Sequence, residues 1–282
     1  MHQLTPIEPI DYLLIGHIAR DLTPEGPQLG GTVTYSALTA RALGLRVGIV
    51  TSWGSELPLG PLQTIPIVNL ASENSTTFEN VTTSNGRVQT VHNVAQELDY
   101  YLIPDLWRNA PIVHLGPLVQ EVEPSIVRQF SSSLIGLTPQ GWLRAWDREG
   151  KVYATEWPEA AFVLQHAGAA VLSLEDVKGN ETRLQEMATY CRVLAVTEGV
   201  KGVRIYWNGD VRRFPATEVE AVDTTGAGDI FATAFFVRLH TTRDPWEAAR
   251  FANLLASSSV TRTGLDAIPT PEEIKDCMIE VF

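Results

Sequence analysis

Short apolar runs rich in β-branched residues recur along the chain, separated by segments of helical period. The runs are Tyr12–Gly16, Val47–Thr51, Pro111–Leu115, Ala169–Ser173 and Val193–Thr197. An unbroken apolar run predicts a strand that is covered on both faces, as in a parallel sheet. Helical periodicity over Val33–Leu43 and Pro158–His166 supplies the connections of a βαβ alternation. We therefore predict an α/β fold with a doubly wound, mostly parallel sheet and helices on both faces.

One region departs from this alternation. Thr76–Thr83 and Arg87–Val94 flank the turn sequence Ser84-Asn85-Gly86. Asn-Gly between two alternating runs indicates a β-hairpin, because both turn residues need positive φ. A lone hairpin is marginal in water, so we expect it to pair with further strands as a small β lid, beside a loop-rich segment at Leu22–Gly31. The chain is predicted to be a single domain over 1–282, with the lid contributed by 18–29 and 74–102.

The charge and cysteine content narrow the class of protein. The 21 Lys and Arg against 33 Asp and Glu give a net charge of -12, which disfavours binding to nucleic acid or to an anionic membrane. We see neither a signal peptide nor a run of apolar residues long enough to span a bilayer, and we expect a cytoplasmic protein. Cys191 and Cys277 lack metal-ligand or redox spacing and are predicted to be reduced and structural.

The most informative segment is Asp223-Thr-Thr-Gly-Ala-Gly-Asp229, which leads into a nearly unbroken apolar run up to Leu239. A glycine-rich turn that opens a buried helix directs unpaired backbone amides and the helix dipole at an anion such as phosphate. From spacing alone, Asp229 is equally a helix N-terminal cap or a general base that accepts the proton of an attacking hydroxyl.

This heptapeptide resembles the C-terminal signature of the PfkB, or ribokinase-like, family of carbohydrate kinases, whose members phosphorylate sugars, nucleosides and related alcohols. The resemblance implies that Asp229 is the catalytic base and that the amides of Gly226, Ala227 and Gly228 form the anion hole. It also implies ATP and Mg²⁺ as cofactors, a monovalent cation as an activator in some relatives, and a small-molecule alcohol as the substrate. Relatives include monomers and dimers, so a homodimer paired through the lid is one of two expected forms.

Two features resemble the part of the family's active site that binds the substrate. Asp21 falls where relatives place an aspartate that binds substrate hydroxyls, with a solvated loop residue as the alternative. Gly30-Gly31 resembles the di-glycine hinge between lid and core, with a plain helix start as the alternative.

The family's asparagine after the di-glycine is missing here, which puts the usual ribose, fructose or fructose-phosphate substrates in doubt. The hydroxyls of Thr32, Thr34 and Tyr35 either replace it or pack inside the helix.

The segment Ser173-Leu-Glu175-Asp176 follows a predicted strand, where the family has an Asn-x-x-Glu motif that organises magnesium through water. Asp176 retains a carboxylate with a shorter reach, and Glu175 is the alternative metal-organising acid. Mg²⁺ prefers oxygen ligands and keeps several waters, so either acid is compatible with it.

Thr197-Glu-Gly199-Val-Lys201-Gly202 resembles the family's Thr-x-Gly segment, which lines the nucleotide site; Lys201 is equally a turn residue. The residues expected to bind the nucleotide are Thr197, Gly199, Lys201, Gly202, Thr224, Thr225 and Asn253.

Two arginines are candidates for the substrate side. Arg144 follows the apolar run Leu134–Thr138, and Arg87 lies on the predicted hairpin. A guanidinium binds phosphate or carboxylate through two parallel hydrogen bonds, so either residue would give this acidic protein a local positive site. A plain surface arginine is the alternative for both.

Two functions are compatible with these motifs. The first is transfer of the ATP γ-phosphoryl group to a sugar, polyol or nucleoside. The second is a non-catalytic sugar- or nucleotide-binding regulatory module, suggested by the altered substrate and magnesium motifs. The complete heptapeptide favours the kinase, because a pure binder does not need a carboxylate beside bound phosphates.

Overall fold

The computed structural model describes residues 8–56, 58–83 and 86–278. Its strands, in chain order, are β1 (Tyr12–Ile15), β2 (Ala19–Thr23), β3 (Gly26–Gly30), β4 (Val47–Trp53), β5 (Ile67–Ala71), β6 (Thr76–Thr83), β7 (Gly86–Asn93), β8 (Ile112–Leu115), β9 (Leu134–Leu137), β10 (Arg144–Trp146), β11 (Val152–Ala154), β12 (Ala169–Ser173), β13 (Val193–Thr197), β14 (Val203–Trp207) and β15 (Asp210–Phe214). Its α-helices are α1 (Gly31–Ala42), α2 (Ala160–His166), α3 (Glu181–Tyr190), α4 (Ala227–Thr242), α5 (Pro245–Ser259) and α6 (Pro271–Cys277).

Nine strands form the main sheet, in the order β15-β14-β13-β12-β9-β8-β1-β4-β5. The seven strands from β13 to β5 pair in parallel, and β14 and β15 add an antiparallel edge. The chain thus has the predicted α/β fold, and this prediction is confirmed. All five apolar runs named above became strands of this sheet, with ends that differ by two residues at most.

Side chains alternate between the two faces of the main sheet, and each face has its own hydrophobic core. On β1, Tyr12 and Leu14 pack toward α1, α4 and α5, whereas Leu13 and Ile15 pack toward α2 and α3. All four side chains are fully buried, which is why this strand reads as a continuous apolar run rather than an alternating one.

Helix α4 is the central helix of its face. Its side chains from Ile230 to Phe236 are all buried, and Phe231 and Phe235 stack with their ring centroids 5.7 Å apart. Truncating a buried phenylalanine to alanine typically costs about 3–5 kcal/mol. The packing of these side chains therefore fixes the position of the N-terminus of α4, where the heptapeptide ends.

A series of buried, hydrogen-bonded side chains crosses the core beneath α4. The Tyr12 hydroxyl lies 3.0 Å from His114 Nδ1, and His114 Nε2 lies 2.9 Å from Thr138 Oγ1. Burial lowers the pKa of His114 to about 3, so the ring is neutral at physiological pH. These hydrogen bonds satisfy polar groups that would otherwise be costly in the core.

The second sheet, called the small sheet below, has the order β3-β2-β6-β7. β6 and β7 form the antiparallel hairpin predicted from Asn85-Gly86, although Ser84 and Asn85 themselves lie outside the described residues. The expectation of a loop at Leu22–Gly31 was wrong, because β2 and β3 pair there around a tight turn. β2 pairs in parallel with β6, so the two segments do lie side by side.

A further antiparallel pair, β10 and β11, lies beside the small sheet. Thr90 of β7 forms a bridge with Lys151, and the Val91 amide donates to the Gly150 carbonyl at 2.8 Å. A Cβ on Gly150, which has a φ of 81°, would lie 2.2 Å from the Val91 carbonyl oxygen. This glycine therefore permits the two hairpins to approach closely.

None of the helices in the described part of the chain has the length and apolar character that a membrane span requires.

Candidate active site

A cavity of about 580 Å³ lies between the small sheet and the carboxyl ends of the main-sheet strands. Open α/β sheets bind ligands at this edge, because the loops that follow parallel strands meet there. The predicted site residues that line the cavity are Asp21, Gly31, Tyr35, Arg144, Glu175, Asp176, Thr197, Thr224, Thr225, Gly226, Gly228 and Asp229. The structure thus brings together residues from five distant parts of the sequence.

The glycine turn at the start of α4 is shaped by Gly226. This residue has a φ of 77°, and a Cβ on it would lie 2.2 Å from Cδ1 of Tyr35. Both the left-handed backbone and the close approach of the tyrosine ring require glycine here. Asp223 braces the turn, because its carboxylate accepts hydrogen bonds from the amides of Thr225 and Gly264 at 2.9 and 3.0 Å.

The backbone amides of this turn are not equivalent. The Ala227 amide donates to the Thr224 carbonyl at 3.3 Å, within the turn. Among the described residues, no acceptor is present for the amides of Gly226 and Gly228. An ideal Cβ on Gly228 would meet no atom within 4 Å, because this residue borders the open cavity. The start of α4 therefore offers an anion two unpaired donors and the positive end of the helix dipole.

Asp229 is not a helix cap. The N-cap of α4 is Gly226, and no side chain bonds to the amides of its first turn. The pKa of Asp229 is raised to about 6: burial is the largest cause, the charges of Asp176 and Asp21 act in the same direction, and Thr32 and Arg144 oppose the shift. A carboxylate with a pKa close to physiological pH is suited to accepting a proton from a reacting hydroxyl.

Tyr35 connects the turn to the substrate side of the cavity. Its ring is buried, and burial raises the pKa of its hydroxyl, with further contributions from the charges of Asp223, Asp229 and Asp21. The hydroxyl is therefore a hydrogen-bond donor at every physiological pH. Thr32 lines the cavity and Thr34 instead donates to the Gly30 carbonyl at 2.7 Å within the helix. Thr34 therefore packs inside the helix, whereas substrate binding by Thr32 or Tyr35 stays a prediction.

Close contacts explain why glycine occupies both positions of the di-glycine, Gly30 and Gly31. A Cβ on Gly30 would lie 1.8 Å from Oδ2 of Asp21, and a Cβ on Gly31 would lie 2.7 Å from Cδ1 of Leu118. Gly30 does not itself line the cavity; it provides space for the Asp21 carboxylate, which does. Gly31, with a φ of 82°, starts α1 close against the small sheet.

Asp176 and Glu175 occupy a short 3₁₀ turn, Leu174–Val177, directly after β12. Asp176 accepts a hydrogen bond from the Ser173 amide at 2.8 Å, and the Gln140 side chain lies 3.4 Å from its other oxygen. Burial raises the pKa of Asp176, and hydrogen bonding by the Ser173 amide opposes this shift. The carboxylate is thus fixed in direction, whereas Glu175 is exposed at the rim of the cavity.

Several residues expected at the nucleotide site lie outside the cavity. Asn253 is buried, and its side chain donates to the Pro215 carbonyl at 2.7 Å. Gly199, Lys201 and Gly202 form the turn between β13 and β14, where a Cβ on Gly202 would lie 2.0 Å from the Phe214 carbonyl oxygen. These residues shape the loops beside the cavity rather than its wall. The side chain of Arg87 lies outside the described residues.

Sequence reasoning missed six polar residues that line the cavity, namely Asn80, Gln89, Thr138, Gln140, Tyr153 and Lys178. Asn80 and Gln89 are direct cross-strand neighbours on β6 and β7. The period of two along Thr76–Thr83 was a usable signal for Asn80, because it places Phe78 and Asn80 on one face. Which face meets the cavity depends on the packing of the small sheet, which the local sequence does not encode.

The comparisons with known proteins agree with this geometry. A family model described as "pfkB family carbohydrate kinase" matches residues 153–273. A cytidine kinase of Thermococcus kodakarensis is 25% identical over 247 residues, which are 80% of this chain and 87% of the relative. The matched part of the chain is thus similar to the PfkB carbohydrate kinases, and it contains the heptapeptide that carries the resemblance.

Solved structures of ribokinase-family proteins share the fold. One is a pyrophosphate-dependent kinase complexed with a pyrophosphate analog and myo-inositol, with a TM-score of 0.78, 19% identity, and coverage of 95% of this chain and 100% of that one. Another is Arabidopsis thaliana ribokinase complexed with ribose and ATP, with a TM-score of 0.73, 18% identity, and coverage of 96% and 99%. At these identities the likeness establishes the fold.

Proposed function

We propose that the chain is an ATP-dependent kinase that transfers the γ-phosphoryl group to a hydroxyl of a sugar, polyol or nucleoside. The observation that carries this proposal is the placement of Asp229, whose carboxylate lies in the cavity beside the open turn at Gly226–Gly228 and has a pKa raised to about 6. A base and an anion-binding turn on one helix start are the two groups that phosphoryl transfer to an alcohol needs from the protein.

In the proposed reaction, the acceptor hydroxyl gives its proton to Asp229 as its oxygen forms a bond to the γ-phosphorus. The bond between that phosphorus and the oxygen bridging to the β-phosphate breaks, and ADP leaves with the electron pair. The Gly226 and Gly228 amides and the dipole of α4 stabilise the negative charge on the transferred group. The small sheet covers the reacting groups as a lid and limits hydrolysis of ATP by water.

The side chains at the end of β12 fit a magnesium ion. Within the described residues, no three His, Cys, Asp or Glu side chains cluster as an all-protein metal site. Mg²⁺ bound with a nucleotide needs only one or two carboxylates, since phosphates and waters supply its other ligands. Asp176, with its direction fixed by the Ser173 amide, is the proposed acid, and Glu175 lies next to it. When bound, the ion would neutralise charge on the phosphates.

The non-catalytic alternative is less consistent with this site. A non-catalytic binding module does not need a partly buried carboxylate with a raised pKa, since such a group destabilises the folded state when it is charged. The ATP preference rests on the family resemblance, and pyrophosphate is therefore included as a donor in the test.

The test is turnover measured as coupled ADP release, or phosphate release with pyrophosphate, over a panel of sugars, inositols and nucleosides. Asp229→Asn is expected to bind an ATP analogue normally and to lower turnover by about 10² or more. Glu220→Gln, which removes an exposed acid from the same segment, is the matched control and is expected to retain turnover. Near-normal turnover in Asp229→Asn would refute the assignment, and no turnover by the wild type on any compound would favour the binding module.

A further inference from the structure

The buried, hydrogen-bonded series of side chains beneath α4 ends in the wall of the cavity. Thr138, which follows β9, lines the cavity, whereas His114 and Tyr12 are fully buried in the core. His114 Nε2 lies 2.9 Å from Thr138 Oγ1, and His114 Nδ1 lies 3.0 Å from the Tyr12 hydroxyl. We call these three side chains the core series. It connects a hydroxyl at the cavity to polar groups in the interior of the protein.

Aromatic neighbours hold the His114 ring in one orientation. The rings of Tyr12 and of Phe236 on α4 meet it edge-on, with centroids 6.0 and 5.0 Å away. Gly136, the partner of His114 on β9, provides room for this packing, because a Cβ there would lie 2.5 Å from Cδ2 of Phe236. Since both aromatic neighbours belong to the close-packed core, Nε2 of the His114 ring stays directed at Thr138.

The core series has one direction of donation. Burial lowers the pKa of His114, so the ring is neutral, with one nitrogen that donates and one that accepts. Burial raises the pKa of Tyr12, so its hydroxyl keeps a proton that needs an acceptor. Within the described residues, the nearby Thr233 hydroxyl forms no hydrogen bond of regular geometry, and it lowers the pKa of Tyr12 as a donor does. The acceptor for the Tyr12 proton is therefore His114 Nδ1.

The proton of the neutral His114 ring is then on Nε2, which donates to Thr138 Oγ1. The Thr138 hydroxyl accepts this hydrogen bond and keeps its own proton for another partner. In the part of the chain that the structure describes, His114 is the hydrogen-bond partner of Thr138 Oγ1 and no further acceptor lies beside it. Thr138 therefore presents a hydrogen-bond donor to a ligand in the cavity.

This donor lies near the proposed base. A Cβ on Gly116, which follows β8, would lie 3.3 Å from Thr138 Oγ1 and 2.8 Å from Thr32 Cγ2, so both threonines border the same glycine. Thr32 in turn hydrogen-bonds to the Asp229 carboxylate. Thr138 is thus on the side of the cavity where the acceptor oxygen and the transferred phosphoryl group meet in the proposed reaction.

Two ligand groups near Asp229 are able to accept this hydrogen bond. One is the attacking hydroxyl oxygen, and the other is an oxygen of the transferred phosphoryl group. A donor on the attacking oxygen would withdraw electron density from the nucleophile. The phosphoryl oxygens carry negative charge throughout the transfer, and a donor that is already oriented stabilises that charge without reorganisation. The phosphoryl group is therefore the favoured partner.

Resting on the kinase function proposed above, we propose that the Thr138 hydroxyl donates a hydrogen bond to the transferred phosphoryl group, and that His114 is a positioning residue that keeps this hydroxyl a donor. Thr138 then adds a side-chain donor to the backbone amides at the start of α4.

The first test is ¹⁵N NMR of the wild-type protein labelled at its histidine rings, at neutral pH and without ligand. The His114 signals are assigned by their loss in His114→Gln. The proton of a neutral ring is expected on Nε2, with Nδ1 unprotonated. A proton on Nδ1 would reverse the direction of the core series and overturn the proposal. This measurement does not depend on turnover.

The second test is calorimetric binding of ADP with aluminium fluoride and Mg²⁺, a mimic of the phosphoryl group during transfer. Thr138→Val keeps the shape of the side chain and removes the hydroxyl, so it is expected to bind the mimic at least about tenfold more weakly and ADP alone equally well. Thr138→Ser should restore binding. Thr189→Val, which removes an exposed hydroxyl bonded within α3, is the control and should resemble the wild type. Equal binding of the mimic by Thr138→Val and the wild type would overturn the proposal.

The third test is the division of the effect between kcat and the acceptor KM. Thr138→Val is expected to lower kcat by about 10², with the acceptor KM changed less than about threefold. A higher acceptor KM at the wild-type kcat would assign the hydroxyl to the acceptor instead and contradict the proposal. If the wild type turned over no acceptor and yet bound the mimic through Thr138, the kinase function alone would be contradicted.

A double-mutant cycle tests the positioning role of His114. His114→Leu is expected to lower kcat in the wild-type background and to have little further effect in Thr138→Val, because His114 acts through that hydroxyl. A purely structural role would lower kcat by the same factor in both backgrounds, and that result would rule out the positioning role.

Discussion

The ring of Tyr35 lies against Gly226 so closely that a Cβ on the glycine would be 2.2 Å from Cδ1 of the ring. Tyr35 lies near the start of α1, and Gly226 is the N-cap of α4. The contact joins the start of α1 to the glycine turn that is proposed to bind the transferred phosphoryl group. It makes the position of the turn amides depend on a side chain nearly two hundred residues away.

Gly226→Ala is therefore expected to be doubly unfavourable. Alanine at a φ of 77° is strained by about 1 kcal/mol, and the contact with Tyr35 displaces the turn in addition. We expect a lower melting temperature and a loss of turnover of about 10² or more, since the anion-binding amides move.

The matched control is Gly209→Ala in the β14–β15 turn. Gly209 has a similar φ of 82°, but a Cβ there meets no atom within 4 Å. It should lose a similar small amount of stability and retain turnover. Equal turnover losses in the two variants would contradict a specific role for the Tyr35–Gly226 contact.

The pH dependence of the reaction follows from Asp229. The base accepts a proton only when it is ionised, so kcat/KM is expected to fall as pH decreases through about 6, the pKa to which burial raises this carboxyl. Thr32 lowers this pKa by hydrogen bonding to the carboxylate, so Thr32→Val should move the midpoint to higher pH. The measurement is a pH–rate profile with a saturating nucleotide. A midpoint that moves to lower pH in the Thr32 variant would contradict this account.

The same carboxyl is expected to reduce the stability of the folded protein. Because its pKa is higher when folded than when unfolded, the folded state binds more protons between pH 4 and 6, and stability falls as pH rises through that range. Above pH 6 the full penalty is present, about 1–2 kcal/mol once solvent access from the cavity is considered. Asp229→Asn should therefore be more stable than the wild type at pH 8 and gain little at pH 4.5, as chemical denaturation would show. An equal gain at both pH values would rule out this titration as its cause.

Asp176 and Glu175 make different predictions for magnesium. Asp176→Asn retains an acceptor for the Ser173 amide, so the 3₁₀ turn after β12 should stay folded. If Asp176 organises the ion, the variant needs at least about tenfold more Mg²⁺ for half-maximal turnover. Glu175→Gln, at the exposed rim, should need about the wild-type concentration. The opposite result would assign the ion to Glu175. Titration of turnover with Mg²⁺ at constant free ATP measures both.

The parts of the fold that the sequence predicted best are those set by local pattern. β12 and β13 were located to the residue because each apolar run ends at a hydroxyl residue, Ser173 or Thr197, that precedes a turn. The β6–β7 hairpin followed from its Asn-Gly turn. The segment at Leu22–Gly31 was misjudged because its Gly and Pro residues are typical of loops. The Asp21–Gln28 and Ala19–Gly30 pairs that make it a sheet edge depend on β6, which follows much later in the chain.

The sequence predicted the part of the candidate site that lies within a single motif. The placement of Asp229 beside the turn at Gly226 follows from seven consecutive residues. The assignment of Asn253 to the nucleotide site remains a prediction without support from the cavity, since its side chain bonds to the Pro215 carbonyl. No motif marked Asn80 and Gln89. Their place in the cavity wall depends on the β6–β7 register and on the contact of Gln89 with Arg144, which lies far along the chain.

The hydrogen bond from the Val91 amide to the Gly150 carbonyl has a mechanical consequence. Together with the bridge between Thr90 and Lys151, it attaches the outer strand of the small sheet to the hairpin that begins at Arg144. Because Arg144 lines the cavity, we expect a movement of the small sheet away from the cavity to shift this guanidinium as well. Opening of the cavity to solvent and rearrangement of its charged lining are therefore expected to be coupled.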